Sequence, residues 1–200
     1  SRTPARRRVF AMDAPVPEGI TTSGAYIVER TAAGESPLIP LSAIRLIGRH
    51  LVSDVLAAAA AARLAGASPD AMTAAVAAFT GLEHTLEPVA EIAGVRFVND
   101  SKATNIEAAR RSIESFASGV VPIIGGRYKG GDFGVLRAVA AGRDTAVVAI
   151  GEAKGLIREA RGDLVPVTEA ASMADAVQAA FAAASSGGTV VLAPACSSFD

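Results

Sequence analysis

Two polar loops in the sequence contain the kinds of side chains that bind small anionic ligands. The first, residues 99–105, reads NDSKATN and combines a carboxylate, an ammonium group, hydroxyls and amides. Such groups can hold a ribose hydroxyl, a phosphate or a carboxylate. The second, residues 125–133, reads GGRYKGGDF, and its four glycines would let the backbone approach a ligand closely. Both loops are therefore candidate binding segments.

Lysine is scarce in this chain, so its positions carry information. Only three of the 19 basic residues are lysines, and two of them, Lys102 and Lys129, lie in these loops. An ammonium group is a compact charge that pairs with phosphates and carboxylates. On residue types alone a plainer interpretation stays open, in which Thr104 or Asn105 caps a helix and Lys102 is solvated. The glycines would then form an ordinary turn.

Two further polar segments follow predicted strands. Residues 151–154 (GEAK) are typical of a surface turn. Residues 194–200 (PACSSFD) contain a serine pair that could bind a carboxylate, although a frayed terminus could have the same composition. The phosphate-binding pattern G-x-x-x-x-G-K-[ST] and the dinucleotide pattern G-x-G-x-x-G occur nowhere in the chain.

The sequence predicts no metal site and no catalytic residue. His50 and His84 are far apart and lack the further histidines or cysteines that a zinc site needs. Cys196 is the single cysteine, so it cannot form an intrachain disulfide, and no histidine close in sequence would activate its thiol.

These loops need a framework, and short β-rich runs alternate with helical ones from residue 86 onward. The predicted strands are 25–30, 38–44, 87–92, 95–98, 120–124, 146–150, 164–167 and 189–193. The predicted helices are 50–65, 69–79, 105–116 and 172–184, with two more beginning at Phe133 and Lys154. This alternation predicts an α/β fold with a mostly parallel, Rossmann-like sheet. Ligands bind beyond the carboxyl ends of such strands, which is where the four polar segments fall.

The composition excludes several classes of protein. Of the 200 residues 50% are hydrophobic and 20% charged, which is typical of a globular chain. With 19 basic against 20 acidic residues, the chain lacks the basic surplus that binds nucleic acid or an anionic membrane. Its apolar tracts are shorter than the roughly 20 residues that cross a bilayer. We therefore expect no nucleic-acid or membrane partner, and the single cysteine favours a cytoplasmic protein. We also expect a monomer.

Three strings together resemble the C-terminal domain of the Mur ligases. They are FVNDSKATN at 97–105, GG followed by KGGDF at 125–133, and LAPACSSFD at 192–200. The strings GRH at 48–50 and GLEH at 81–84 resemble the end of the central ATPase domain of that family. NDSKATN is the most specific of these strings, and the resemblance covers nearly the whole chain.

The resemblance implies two domains. Residues 1–82 would be the C-terminal part of the central α/β ATPase domain, without its phosphate-binding loop. Residues 83–200 would be the amino-acid-binding C-terminal domain, shortened at its end. We therefore expect a fragment that is inactive alone, with a hinge at 81–86, because the ATP and amino-acid sites of the family lie on separate domains.

The implied reaction is amide-bond formation in peptidoglycan synthesis, in which an ATP-dependent ligase adds D-glutamate to UDP-N-acetylmuramoyl-L-alanine. By motif position, the residues around D-glutamate would be Lys102, Thr104, Lys129, Ser198 and Phe199. Asp100 would reach the ATP ribose, and His84 would lie on the nucleotide side of the interdomain cleft. ATP and Mg²⁺ would be bound mainly by parts that are absent from this chain. The sequence departs from the family at three expected nucleotide contacts, namely Leu51, Asp54 and Thr85.

Two other functions stay open at this stage. Another Mur-type ligase or a folylpolyglutamate-type ligase would take a different amino acid, although NDSKATN favours D-glutamate, and a panel of amino acids would distinguish them. A non-enzymatic Rossmann-like module that binds an acidic amino acid would also lack the phosphate loop. Calorimetric titration with D-glutamate, before and after Lys129→Ala, would help separate the enzyme from the module.

Overall fold

The computed structural model describes residues 7–14, 16–143 and 145–197. The chain divides between Gly81 and Leu82 into two compact units. Within the described residues, no helix is long and apolar enough to cross a membrane.

The first unit is a small sheet followed by two helices. Its strands are β1 (Phe10–Ala11), β2 (Gly19–Ser23), β3 (Tyr26–Thr31) and β4 (Gly34–Pro40), and its helices are α1 (Arg49–Leu64) and α2 (Pro69–Ala78). The strands lie in sequence order, with β1 parallel to β2 and the other pairs antiparallel. Both helices were predicted from the sequence, and Ser68 caps α2 by accepting a hydrogen bond from the Ala71 amide.

A separate apolar core holds the first unit together. Ile20, Ile27 and Ile39 of the sheet pack with Leu56 of α1 and Met72 of α2. The alanine-rich sequence of α1 favours a helix and brings its backbone close to the sheet. The predicted strand 38–44 is corrected at both ends, because β4 begins at Gly34 and residues Leu41–Ala43 form a 3-10 turn.

The second unit is a six-stranded sheet with helices on both faces. Its strands are β5 (Glu87–Ile92), β6 (Val95–Asn99), β7 (Val120–Gly125), β8 (Val147–Ile150), β9 (Val167–Ala170) and β10 (Thr189–Leu192). Its helices are α3 (Ile106–Glu114), α4 (Arg137–Ala140), α5 (Lys154–Arg161) and α6 (Met173–Ala183), and a 3-10 turn (Phe133–Leu136) precedes α4. The strand order is β5-β6-β10-β7-β8-β9, and only the edge strand β5 is antiparallel. The predicted mostly parallel, Rossmann-like sheet is confirmed.

The parallel strands are buried because helices cover the sheet. Every residue of β7 and β8 is buried, as their uninterrupted apolar sequences indicate. On one face, Ala176 and Ala180 of α6 pack against Val121, Ile123 and Val148. Small alanine side chains let α6 lie close to the strands.

One strand of the second unit was placed wrongly from the sequence. The strand predicted at 164–167 is instead β9, which begins at Val167 and ends at Ala170. Leu164 and Val165 belong to the turn after α5, where both amides donate to the carbonyl of Arg161. Thr168 and Glu169 of β9 are exposed, so the strand lacks an apolar pattern that would reveal it.

Candidate functional site

Four loops of the second unit lie together at the carboxyl edge of its parallel strands. Because β6, β10, β7 and β8 are neighbours in that order, their loops follow the same order in space. Residues 100–105 follow β6, 193–197 follow β10, 126–132 follow β7 and 151–153 follow β8. The loops with Lys102 and Lys129 therefore flank the loop after the central strand β10.

The loop after β10 is hydrogen-bonded to both lysine-containing loops. The amide of Ala195 donates to the carbonyl of Ala103 at 2.8 Å. On the other side, Arg127 and Ser197 exchange two backbone hydrogen bonds, each of 3.1 Å. Ala195 has a φ of 58°, a left-handed conformation that is rare for alanine. The loop after β10 thus fixes the separation of the two lysine-containing loops.

Glycines allow the loop after β7 to approach its neighbours closely. A Cβ on Gly126 would lie 2.4 Å from the carbonyl oxygen of Ser197, and Gly126 has a φ of 143°. A Cβ on Gly131 would lie 2.8 Å from Cδ1 of Ile106, the first residue of α3. The loop therefore packs against both the loop after β10 and the beginning of α3.

The loop after β7 also has internal contacts that order it. The hydroxyl of Tyr128 donates to the carbonyl of Gly131 at 2.6 Å, and its ring stacks on Phe133 with centroids 5.8 Å apart. Asp132 accepts a hydrogen bond from the Gly134 amide at 2.7 Å. These contacts hold the segment that carries Lys129.

The loop after β6 ends in a helix cap. The side chain of Asn105 accepts a hydrogen bond from the Ala108 amide at 2.8 Å, which identifies Asn105 as the N-cap of α3. Thr104 is half-buried, and its amide donates to the carbonyl of Lys102. The sequence left Thr104 and Asn105 as alternative candidates for the cap, and the structure selects Asn105.

Asp100 and His84 lie on the β6 side of this edge. Asp100 is buried, and its carboxylate accepts a hydrogen bond from the Leu86 amide at 3.3 Å. The amide of Lys102 donates to the carbonyl of His84 at 3.2 Å. The side-chain amide of Asn99 lies 2.9 Å from Nδ1 of His84. The segment around His84 is therefore held against the loop that carries Lys102.

The ammonium groups of the two loop lysines are available to a ligand. Lys102 and Lys129 are exposed, and neither forms an ion pair within the described residues. Lys154, the third lysine, instead lies 4.0 Å from Glu169. A carboxylate ligand would thus meet two ammonium groups without first displacing a described carboxylate.

The thiol of Cys196 lies in the loop after β10 and is 1% exposed. Burial raises the pKa of Cys196, and the positive charge of Lys129 opposes that increase, while the negative charge of Glu152 adds to it. A buried thiol with a raised pKa is a poor nucleophile.

The structure thus brings Asp100, Lys102, Thr104 and Lys129 to one edge of the sheet, with His84 held against the loop after β6. Ser198 and Phe199, which were also predicted as site residues, lie outside the described residues.

Sequence reasoning missed Ala195, because nothing in its residue type marks a left-handed conformation. No group of three potential metal ligands occurs among the described residues.

Comparison with known proteins supports the resemblance. The family model described as "Mur ligase, glutamate ligase domain" matches residues 84–196. The chain is 49% identical over 197 residues to a UDP-N-acetylmuramoylalanine–D-glutamate ligase of Acidobacterium capsulatum, covering 98% of this chain and 41% of that protein. It is 42% identical to the enzyme of that name from Syntrophus aciditrophicus, covering 84% of this chain and 37% of that protein. The chain therefore spans less than half the length of these relatives.

Solved structures share the fold. E. coli FolC in complex with ADP matches with a TM-score of 0.65 and 22% identity, over 94% of this chain and 44% of that chain. A MurF structure from Acinetobacter baumannii matches with a TM-score of 0.64 and 17% identity, over 90% of this chain and 42% of that chain. At these identities the likeness concerns the fold alone.

Proposed function

We propose that this chain, which belongs to the Mur ligase family, binds the incoming amino acid in an ATP-dependent ligase that joins D-glutamate to UDP-N-acetylmuramoyl-L-alanine. The observation that carries the proposal is the pair of exposed lysines, Lys102 and Lys129, on two loops that are each hydrogen-bonded to the loop after β10 at the carboxyl edge of the sheet. The names of the sequence relatives supply the substrate.

The charge of the edge suits a dicarboxylate. An ammonium group and a carboxylate form a charge-assisted hydrogen bond, which is stronger than a neutral one. D-glutamate has two carboxylates, so each loop lysine can take one of them. The spacing of the two loops is fixed by backbone hydrogen bonds through Ala195 and Ser197, which prepares the site before the ligand arrives.

Further contacts to the amino acid are assigned by motif position. Thr104 follows Lys102 in the same loop, where its hydroxyl can donate to a carboxylate oxygen. Ser198 and Phe199 complete the proposed set. An aromatic ring such as that of Phe199 would cover the methylene groups of D-glutamate and exclude water from the charged pairs.

His84 and Asp100 are the proposed nucleotide contacts. When the imidazole of His84 is neutral, its Nδ1 accepts a hydrogen bond from the side-chain amide of Asn99. The ring proton is then on Nε2, which can donate it to a phosphate oxygen. The buried carboxylate of Asp100 is oriented by the Leu86 amide. Bound ATP would supply the phosphoryl group that activates the acceptor carboxylate, with Mg²⁺ offsetting its charge. We assign no Mg²⁺ ligand to this chain.

The test is D-glutamate-dependent release of ADP by the natural protein that carries this sequence, supplied with UDP-N-acetylmuramoyl-L-alanine, ATP and Mg²⁺. Activity with D-glutamate but not with L-alanine, L-glutamate or a folate would support the proposal. Release of ADP that is independent of D-glutamate, or a preference for another amino acid, would contradict it.

A further inference from the structure

We propose that Glu152, in the loop after β8, binds the ammonium group of the incoming amino acid and so selects an amino dicarboxylate over a plain dicarboxylate. This inference rests on the proposed function, because it concerns the same site. It extends that site from the two lysine-containing loops to a third loop along the carboxyl edge.

The loop after β8 is in backbone contact with the glycine-rich loop after β7. The amide of Ala153 donates to the carbonyl of Gly126 at 3.3 Å, and Ala153 is fully buried. A Cβ on Gly125 would lie 1.9 Å from the carbonyl oxygen of Ile150, so the ends of β7 and β8 also lie very close together. Glu152 therefore leaves the backbone directly beside the loop that carries Lys129.

Glu152 differs from the other carboxylates of this edge. Asp100 is buried and accepts a hydrogen bond from the Leu86 amide. Asp132 accepts one from the Gly134 amide. Glu152 is exposed, and within the described residues it forms neither a hydrogen bond nor an ion pair. Its carboxylate is thus available to a cationic group.

The electrostatic environment of Cys196 is consistent with the backbone contacts between the loops of Glu152 and Lys129. The charges of both side chains act on the buried thiol, in opposite directions. Charge interactions of this kind are strongly screened by solvent beyond about 10 Å. This agrees with the backbone contacts in placing the two side chains at one part of the edge.

The resulting charge pattern complements an amino dicarboxylate. Lys102 and Lys129 supply two positive charges, and Glu152 supplies one negative charge. D-glutamate at neutral pH has two carboxylates and one ammonium group, so each of its charges can face an opposite charge. A carboxylate at this position would orient the nitrogen that must later attack the activated acceptor. It would also repel a dicarboxylate that lacks the ammonium group.

The experiment compares D-glutamate with glutarate, which has the same carboxylates but no ammonium group. Binding of each to the natural protein that carries this sequence is measured by calorimetry for the wild type, for Glu152→Gln and for Glu159→Gln. Glu159 is an exposed glutamate on α5 and serves as the matched control. In Glu152→Gln we expect D-glutamate to bind about tenfold more weakly and glutarate to bind equally well or more tightly. Glu159→Gln should change neither.

The other outcomes separate a failure of the role proposed for Glu152 from a failure of the proposed function. If Glu152→Gln weakens D-glutamate and glutarate equally, or weakens neither, the role of Glu152 is wrong while the proposed function stands. If the wild type binds neither compound, both proposals fail. If the wild type prefers L-alanine, D-glutamate is the wrong substrate. L-alanine would then be compared with propionate, which lacks the ammonium group. A greater loss of affinity for L-alanine than for propionate in Glu152→Gln would still support the role of Glu152.

Discussion

At the scale of single residues, Gly126 allows the loop after β7 to approach the loop after β10 closely. Its φ of 143° is unfavourable for residues with a side chain, and any Cβ would lie 2.4 Å from the backbone oxygen of Ser197. That oxygen belongs to the backbone pairing with Arg127, so it cannot move without disturbing the loop after β10.

We therefore expect Gly126→Ala to destabilise the second unit by about 1–3 kcal/mol. On the proposed function, it should also weaken D-glutamate binding, because the loop that carries Lys129 loses its contact with the loop after β10. Urea unfolding and calorimetry measure the two effects. Gly155→Ala is the control, since Gly155 lies in α5 with open space around it and alanine should stabilise the helix by about 0.5–1 kcal/mol. Equal stability of Gly126→Ala and wild type would show that the loops do not need this close approach.

Lys129 and Lys154 allow a second test at the residue scale. On the proposed function, Lys129→Ala in the natural protein that carries this sequence should raise the KM for D-glutamate at least tenfold, since one charge-assisted pair is lost, and leave the KM for ATP unchanged. Lys154→Ala removes a lysine that lies 4.0 Å from Glu169 and should change neither constant. Steady-state kinetics of both variants decide the matter. A similar effect of the two substitutions would mean that general surface charge, and not a site, attracts the substrate.

The sequence predicted some of these residues and not others, for physical reasons. Lys102 and Lys129 were found because lysine is scarce and both lie after strands. The left-handed Ala195 could not be found, because its conformation is stabilised by a hydrogen bond to Ala103, which is distant in sequence. The position of Glu152 beside the glycine-rich loop likewise depends on the strand order β10-β7-β8, which residue types do not reveal.

At the scale of elements, α3 connects the loop after β6 to the rest of the unit. Asn105→Ala removes the cap on the Ala108 amide and should cost about 1 kcal/mol of stability, measured by urea unfolding. Asn105→Ser preserves an oxygen acceptor and should cost much less. If both variants lose the same amount, the contribution of Asn105 comes from packing and not from capping.

The exposed face of α3 has a cluster of arginines and glutamates, in which the titration of Glu107 can be measured. Hydrogen bonds from Arg110 and then Arg111 lower the pKa of Glu107 from 4.5 to about 2. Because the folded-state pKa is lowered, the stabilisation from this carboxylate is complete above pH 4.5 and is lost as the pH falls towards 2. The contribution is small, since these side chains are solvated.

Carboxyl NMR should therefore show Glu107 titrating with a midpoint near 2 in the wild type. Arg110→Ala should raise the midpoint, because the largest favourable interaction is removed. Arg158→Ala, on α5, should leave it unchanged. A wild-type midpoint at the ordinary glutamate value would mean that the cluster is not formed in solution.

Elements with a clear apolar pattern were predicted well, and polar or very short ones were not. The helices α1, α2 and α6 and the buried strand β7 have compositions and lengths that leave little ambiguity. The strands β1 and β2 were not predicted, since β1 has two residues and β2 reads GITTS. Such strands form because neighbouring strands offer backbone hydrogen bonds, a tertiary effect that outweighs local preference.

At the scale of the whole molecule, the described residues include an apolar core in each of the two compact units. In the first unit, α1 and α2 pack against the sheet. In the second unit, α6 packs against one face of the sheet. Proteins with separate cores commonly unfold in more than one step. The predicted domains, 1–82 and 83–200, lead to the same expectation of independent unfolding.

Core substitutions placed in each unit test that independence. Leu56→Ala and Ile123→Ala each remove a side chain that is at most 1% exposed, which typically costs about 2–5 kcal/mol. Leu56→Ala should accelerate amide hydrogen exchange in β2 and β3 and leave β7 and β8 protected, whereas Ile123→Ala should have the opposite effect. The natural protein that carries this sequence is the sample in both cases. If either substitution lowers protection in all four strands, the units unfold as one cooperative block. Ligand binding at the lysine loops would then depend on the stability of the first unit as well as the second.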